Sequence, residues 1–126
     1  MLFSSGRLRP GGGPFLPQRK YKMIRVSAMY PNAAGSRFDH AYYKDSHMPM
    51  VAKLMGPACL SWSVDKGLAG GAPGAPPAYV AMCHILCESV ESFQASFVPH
   101  APAIMADVPN YTNLMPILQI SEVTAG

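Results

Sequence analysis

The stretch YVAMCHIL, residues 79–86, alternates strictly along the chain and is rich in residues that favour β-strands. Cys83, Ile85 and the following Cys87 fall on one face of this strand, as small core residues do. His84 falls on the opposite face among apolar neighbours, where a polar group needs a hydrogen-bond partner. This segment is the clearest strand in the sequence, and the other elements can be placed around it.

A second strand at 58–65 precedes it, and the Gly- and Pro-rich segment 67–77 joins the two as a long hairpin. That loop does not resemble a phosphate cradle, because neither a helix N-terminus nor a Gly-Lys-Ser/Thr ending follows it. Upstream, the alternating segment 24–30 predicts the first strand. Downstream, the segment 115–123 predicts the last, with Pro116 near its start, where a missing N–H does least harm.

Two helices occupy the intervals between these strands. Asp39 can cap a helix at 40–55 that ends at Gly56, and Pro49 inside it should kink it or loosen its middle. Ser89 can cap the second helix, in which Pro99 and Pro102 break the regularity. The predicted order is therefore strand, helix, strand, strand, helix, strand.

The two halves of this pattern correspond to each other. Residues 46–49 read Ser-His-Met-Pro in the first helix, and residues 99–102 read Pro-His-Ala-Pro in the second, 53 positions later. A doubled βαβ unit is the ferredoxin-like plait, an α+β fold with a four-stranded antiparallel sheet and two helices on one face. The other face would be bare, so we expect two copies to pair through it as a homodimeric α/β barrel.

Charge is distributed unevenly along the 126 residues. The first 22 carry five basic residues and no acidic one, whereas the remainder carries five basic and seven acidic residues, a net of −2. The pI of 8.9 therefore comes from the N-terminal segment, and no nucleic-acid partner is expected. We interpret residues 1–22 as a disordered or non-native extension and 23–126 as the domain. Met23 would be a natural start.

Cysteine usage and hydropathy favour a cytoplasmic protein. Three cysteines, Cys59, Cys83 and Cys87, are an odd number without a signal-peptide pattern, which is typical of reduced thiols. No apolar run predicts a membrane span. The spacing of 83–87 lacks the second ligand pair of a zinc site, and the four histidines show no metal-binding motif, so neither a metal nor another cofactor is predicted.

Several of these segments together resemble the EthD family. They are MIRVSAMYPN at 23–32, RFD at 37–39, YY at 42–43, HMP at 47–49, VDKGLAGG at 64–71, PPAYVAM at 76–82, PH at 99–100 and PNY at 109–111. The resemblance extends from Met23 to about Val123. It implies the dimeric α/β-barrel fold and, because many members are labelled reductases, an oxidoreductase. The family is named for a protein required in ethyl tert-butyl ether degradation, so it also implies a catabolic setting.

The residues themselves suggest proton transfer. Tyr43 and His47 are four positions apart, and His40 is seven from His47, so all three share one helical face. His47 as acid or base, with Tyr43 or Tyr30 as hydrogen-bond donor, could act on a small apolar, oxygen-bearing molecule in the barrel cavity. The alternative is that Tyr43 is a core aromatic and His47 binds a carbonyl freed by Pro49.

Four further residues are candidate ligand contacts besides His40. Tyr30 and Tyr111 lie at strand ends, where a phenol can orient a carbonyl or hydroxyl. His84 would contact a ligand if its face lines the cavity, and His100 occupies the place in the second half that His47 occupies in the first. The structural alternatives are that the two tyrosines pack strand edges, that His84 is a satisfied core residue, and that His100 binds a carbonyl freed near a proline. Three functions stay open: an oxidoreductase, a cofactor-free isomerase or decarboxylase, and a non-catalytic binder or auxiliary protein.

Overall fold

A computed structural model describes residues 23–126, and within them the six predicted elements occur in the predicted order. The predicted extension at 1–22 lies outside the described residues. The strands are β1 (Ile24–Pro31), β2 (Ser61–Lys66), β3 (Tyr79–Cys87) and β4 (Ile117–Glu122). All neighbours pair antiparallel in the order β2-β3-β1-β4. This is the strand order of the ferredoxin-like plait, so the predicted α+β fold is confirmed.

The first helical region, α1, covers residues 40–55 in three segments. An α-helix at His40–Tyr42 passes into a π-helix at Tyr43–His47 and then an α-helix at Met48–Met55. Asp39 caps the start, as predicted, because its carboxylate accepts a hydrogen bond from the Tyr42 N–H at 3.0 Å. The predicted disturbance around Pro49 thus takes the form of a π-helical turn just before it.

The second helical region, α2, covers residues 90–107 and is also segmented. Ser89 caps an α-helix at Val90–Phe97, a 3₁₀ turn follows at Val98–His100, and a second α-helix occupies Ala101–Asp107. The 3₁₀ turn contains Pro99, so the predicted break is confirmed. A further 3₁₀ turn at Val108–Asn110 leads towards β4.

Two strand starts differ from the prediction. β2 begins at Ser61 rather than 58, because the 3₁₀ turn Gly56–Ala58 continues the helical path after α1. β4 begins at Ile117 rather than 115, directly after Pro116, which has no N–H for the ladder.

The core lies on one side of the sheet. Alternate residues of β1 and β3 are buried against the helices: Ile24, Val26, Ala28, Tyr30, Ala81, Cys83, Ile85 and Cys87. Val51 and Met55 of α1 and Phe93 and Ile104 of α2 belong to the same core, as do Tyr43, Met48 and Tyr111. The other face of the sheet carries the intervening residues, and no element among residues 23–126 covers it. We call it the open face.

Candidate functional site

A cavity of about 70 Å³ lies between the sheet and the two helical regions. Its wall is mostly apolar, and its polar side chains come from Tyr30, Tyr43, His47, Cys83 and Tyr111. Met105 and Leu118 also line it and are 47% and 59% exposed, so the cavity reaches the surface between the end of α2 and edge strand β4. The sequence predicted a chamber between two open sheet faces. The structure instead places these residues on the helix side, within one copy.

The π-helical turn directs Tyr43 and His47 inwards together. The Met48 N–H donates to the Tyr43 carbonyl five residues earlier, which widens the helix at this point. The imidazole of His47 stacks on the Tyr43 ring with 5.5 Å between centroids and 13° between planes. Both residues are buried, and His47 is only 4% exposed.

Asp107, at the end of α2, holds the imidazole of His47 from the side away from the cavity. Its Oδ2 lies 2.9 Å from His47 Nδ1, and its Oδ1 accepts hydrogen bonds from Tyr42 Oη at 2.7 Å and Asn110 Nδ2 at 2.9 Å. A carboxylate only accepts, so Nδ1 carries the proton and the Nε2 lone pair points towards Tyr111. This arrangement fixes the tautomer that can act as a base at Nε2.

Burial sets the protonation states of this pair. Burial lowers the pKa of His47 below its ordinary 6.5, and the hydrogen bond and charge of Asp107 oppose that shift only in part. For Asp107, burial acts to raise the pKa, but hydrogen bonds from Tyr42, His47 and Asn110 outweigh it and hold the pKa below 3.8. At neutral pH the pair is therefore a neutral imidazole beside a carboxylate.

Two phenols face the same end of the cavity. Tyr30 Oη and Tyr111 Oη are 2.7 Å apart, and Tyr111 Oη lies 3.4 Å from His47 Nε2. Burial raises the pKa of both phenols, and likewise that of Tyr43, so all three keep their protons at neutral pH. They can donate hydrogen bonds to an oxygen that develops negative charge, but they cannot act as bases.

Of the predicted site residues, Tyr30, Tyr43, His47 and Tyr111 meet in this cavity. The other three do not line it. His40 packs against the Phe38 ring at 4.8 Å, His100 lies in the 3₁₀ turn of α2, and His84 lies on the open face. Helical spacing placed His40 and His47 on one face, but the π-helical turn between them changes their relative directions.

Sequence reasoning missed Asp107 and the residues that hold it. One signal was available, because Asp107 is the only acidic residue between Glu91 and Glu122. It also lies just before the Pro-Asn-Tyr segment at 109–111. Its pairing with His47 depends on how α1 and α2 pack side by side, which no local pattern in the sequence specifies.

No three His, Cys, Asp or Glu side chains within residues 23–126 come together as a metal site. In the same part of the chain, no helix is long and apolar enough to cross a membrane.

A family model described as the EthD domain matches residues 34–114, well over half of the chain. The chain belongs to the EthD family. The matched range leaves out β1 and β4, which the structure places side by side in the same sheet as the matched strands. It includes His47, Asp107 and Tyr111 but not Tyr30. Comparison with curated proteins found no match.

Two solved structures resemble the EthD chain. The crystal structure of an EthD-like protein from Ralstonia eutropha JMP134 is 54% identical, with a TM-score of 0.81 over 83% of this chain and 95% of that one. The crystal structure of an ethyl tert-butyl ether D (EthD) family protein from Bacillus halodurans C-125 is 21% identical, with a TM-score of 0.61 over 79% and 97%. The second likeness concerns the fold alone.

Proposed function

We propose that this EthD protein catalyses proton transfer on a small, largely apolar molecule that carries a carbonyl oxygen. The observation that carries the proposal is the orientation of His47. Asp107 holds Nδ1 at 2.9 Å, and Nε2 faces an apolar cavity in which two neutral phenols are 2.7 Å apart. A base beside hydrogen-bond donors in an apolar cavity is the arrangement that stabilises an enolate.

The reaction begins when Nε2 removes a proton from the carbon next to the carbonyl. The electron pair of the broken C–H bond moves onto the oxygen, which accepts hydrogen bonds from Tyr30 and Tyr111. Asp107 stabilises the imidazolium without taking its proton. His47 then returns the proton to the same carbon, or to another carbon of the enolate, which gives an isomer.

Met48, Phe93, Phe97 and Met105 line the apolar part of the wall. Tyr43 and Tyr111 lie against His47, and this grouping of polar side chains supports an enzyme over a non-catalytic binder. Its volume of about 70 Å³ is well below the roughly 300 Å³ and more of sites for drug-sized ligands, which supports a small substrate. The oxidoreductase activity and catabolic setting that the resemblance implies stay predictions. An oxidoreductase can be distinguished from a proton-transfer enzyme by measurement, since an oxidation consumes the substrate whereas proton exchange leaves it intact.

We also propose that two copies pair through the open face. Apolar side chains on that face support this: Met29 of β1, Met82 and Leu86 of β3, and Ile117 of β4, which is 49% exposed. A second copy would remove these side chains from water, while each cavity would stay on the helix side of its own sheet.

Hydrogen exchange tests the catalytic proposal. Cyclohexanone is a suitable probe, because it combines an apolar ring with one carbonyl oxygen and exchanges slowly in neutral D₂O. Proton NMR should show exchange at its α-carbons well above the buffer rate, and His47→Gln should reduce the protein-dependent rate by about 100-fold or more. Asp107→Asn should reduce it as well, because the imidazole loses its fixed tautomer.

The matched control is Asp45→Asn, which removes an exposed carboxylate from α1 that contacts only Lys44 among the described hydrogen bonds. This variant should exchange cyclohexanone at the wild-type rate. Wild-type exchange no faster than buffer, or an unchanged rate in His47→Gln, would contradict the proposal.

A further inference from the structure

Two apolar side chains of β4 are exposed beside the cavity that contains His47. Leu118 is the register partner of Ala28 on β1, and it is 59% exposed. Ile120 is the partner of Val26 and is 41% exposed. Direct partners on paired strands point to the same face, so both side chains lie on the helix side of the sheet, away from the open face. We call Leu118 and Ile120 the β4 strip.

The β4 strip continues the apolar floor of the cavity. Val26 and Ala28 line the cavity, and β4 lies about 5 Å from β1 in the sheet. Leu118 lines the cavity as well, at the opening that it forms with Met105 of α2. The opening therefore leads onto the strip, where Ile120 follows Leu118 at about 7 Å on the same face.

The register also gives the direction in which a bound molecule would extend. The hydroxyls of Tyr30 and Tyr111 mark the polar end of the cavity. Along β1 the side chains of this face follow in the order Tyr30, Ala28 and Val26, and the neighbouring strand presents Leu118 and then Ile120 in the same direction. A ligand with its oxygen at the phenols thus has its apolar part over Ala28 and reaches Leu118 before Ile120.

Size and charge indicate what kind of molecule fits this path. A cavity of about 70 Å³ holds a carbonyl group and the atoms next to it, so a longer molecule extends through the opening. None of the described residues that line the cavity carries a charge at neutral pH, and the strip is aliphatic. Glu122 follows Ile120 on the same face, so the apolar surface ends there. These features favour an uncharged alkyl chain of limited length.

We propose that the substrate of the His47 site is an acyclic alkyl ketone, whose chain leaves the cavity between Met105 and Leu118 and lies on the β4 strip. The proposal rests on the proposed function for the chemistry at the carbonyl, and it adds the part of the molecule that determines affinity. Ile120 contacts the chain and not the reacting atoms, so it is a specificity residue rather than a catalytic one.

NMR titrations of the full chain with butan-2-one, hexan-2-one and octan-2-one test this proposal through the Kd of each ketone. A fully buried methylene improves affinity by about fourfold, and a chain on the strip keeps one side in water, so Kd should fall by about twofold per methylene. Ile120→Thr keeps the β-branched shape that suits a strand. It should raise the Kd of octan-2-one by about threefold or more and leave that of butan-2-one unchanged.

Leu60→Thr is the matched control, because Leu60 is 44% exposed but lies next to β2, at the opposite edge of the sheet. It should bind octan-2-one as tightly as wild type. Equal Kd values for the three ketones, or an unchanged preference for octan-2-one in Ile120→Thr, would overturn the proposal. So would dimers that Ile120→Thr dissociates in sedimentation, since a second copy would then cover the strip. Kd is measured without turnover, so absent α-proton exchange would contradict the proposed function and not the path of the chain.

Discussion

At the scale of single residues, the sequence predicted several members of the site but not Asp107, which holds the imidazole of His47. Helical spacing was sufficient to bring Tyr43 next to His47, and their rings do stack in the structure. Tyr30 and Tyr111 were predicted separately as strand-end phenols, but their 2.7 Å contact joins residues 81 positions apart. The contact between Asp107 and His47 likewise joins distant parts of the chain and depends on tertiary packing. Local spacing predicts neighbours along a helix and does not predict which distant side chain completes a site.

The Tyr30–Tyr111 hydrogen bond should contribute to stability as well as to the site. Removal of either hydroxyl leaves its buried partner short of a hydrogen bond, so Tyr30→Phe and Tyr111→Phe should each lower the free energy of unfolding by about 1 kcal/mol or more. In urea titrations, the double variant should be less destabilised than the sum of the two, with a coupling of about 1 kcal/mol. Strict additivity would show that the two hydroxyls do not interact.

Tyr79→Phe is the reference substitution, because Tyr79 is a half-buried tyrosine of β3 outside the cavity lining. Its free energy of unfolding should stay within about 0.5 kcal/mol of the wild-type value.

At the scale of the elements, the caps and breaks were predictable, and the helix type was not. Asp39 and Ser89 cap the helices as expected, because a short polar side chain before an apolar stripe is a local signal. Pro49 predicted an irregularity in the first helix. A kink, a loosened turn and a π-helix are all compatible with the backbone N–H that proline lacks. The π-helical turn is the one that buries both Tyr43 and His47, and local sequence does not distinguish it from the other two.

The cap at Asp39 should matter more than an ordinary surface carboxylate. Its side chain binds the Tyr42 N–H, and its own N–H donates to the Tyr111 carbonyl at 2.8 Å, so it ties the start of α1 to the site. Asp39→Ala should lower the free energy of unfolding by about 1 kcal/mol. Asp45→Ala, in the exposed part of α1, should change it by less than about 0.5 kcal/mol. Equal effects of the two changes in urea titrations would exclude a capping role.

At the scale of the whole molecule, the fold followed from the sequence, whereas the position of the chamber did not. Alternation within β1 and β3 predicts two faces but does not say which one borders a cavity. Tyr30 shares its face with Val26 and Ala28, and α1 directs His47 towards that same face. The cavity therefore forms within one copy, and pairing of two copies is a separate proposal about the open face.

Sedimentation tests this pairing. At micromolar concentration the chain should sediment as a dimer, and Met29→Lys should yield monomers, because it places a charge between the apolar side chains of Met82 and Ile117 on the open face. Leu68→Lys, a change at an 85% exposed position in the hairpin loop, should leave the dimer intact. A wild-type monomer at that concentration, or a Met29→Lys dimer as tight as wild type, would contradict pairing through this face.

The central claim is that a neutral His47, held by Asp107, is the base of the cavity, and imidazole nitrogen NMR across a pH titration tests it most directly. His47 should carry its proton on Nδ1 and titrate below pH 6.5, and Asp107→Asn should lower its pKa further, because the carboxylate raises it. Since the unfolded chain would then bind this proton first, stability should fall as pH drops from 6.5 towards the pKa of folded His47. A pKa above 6.5, a proton on Nε2, or a higher pKa in Asp107→Asn would contradict the account.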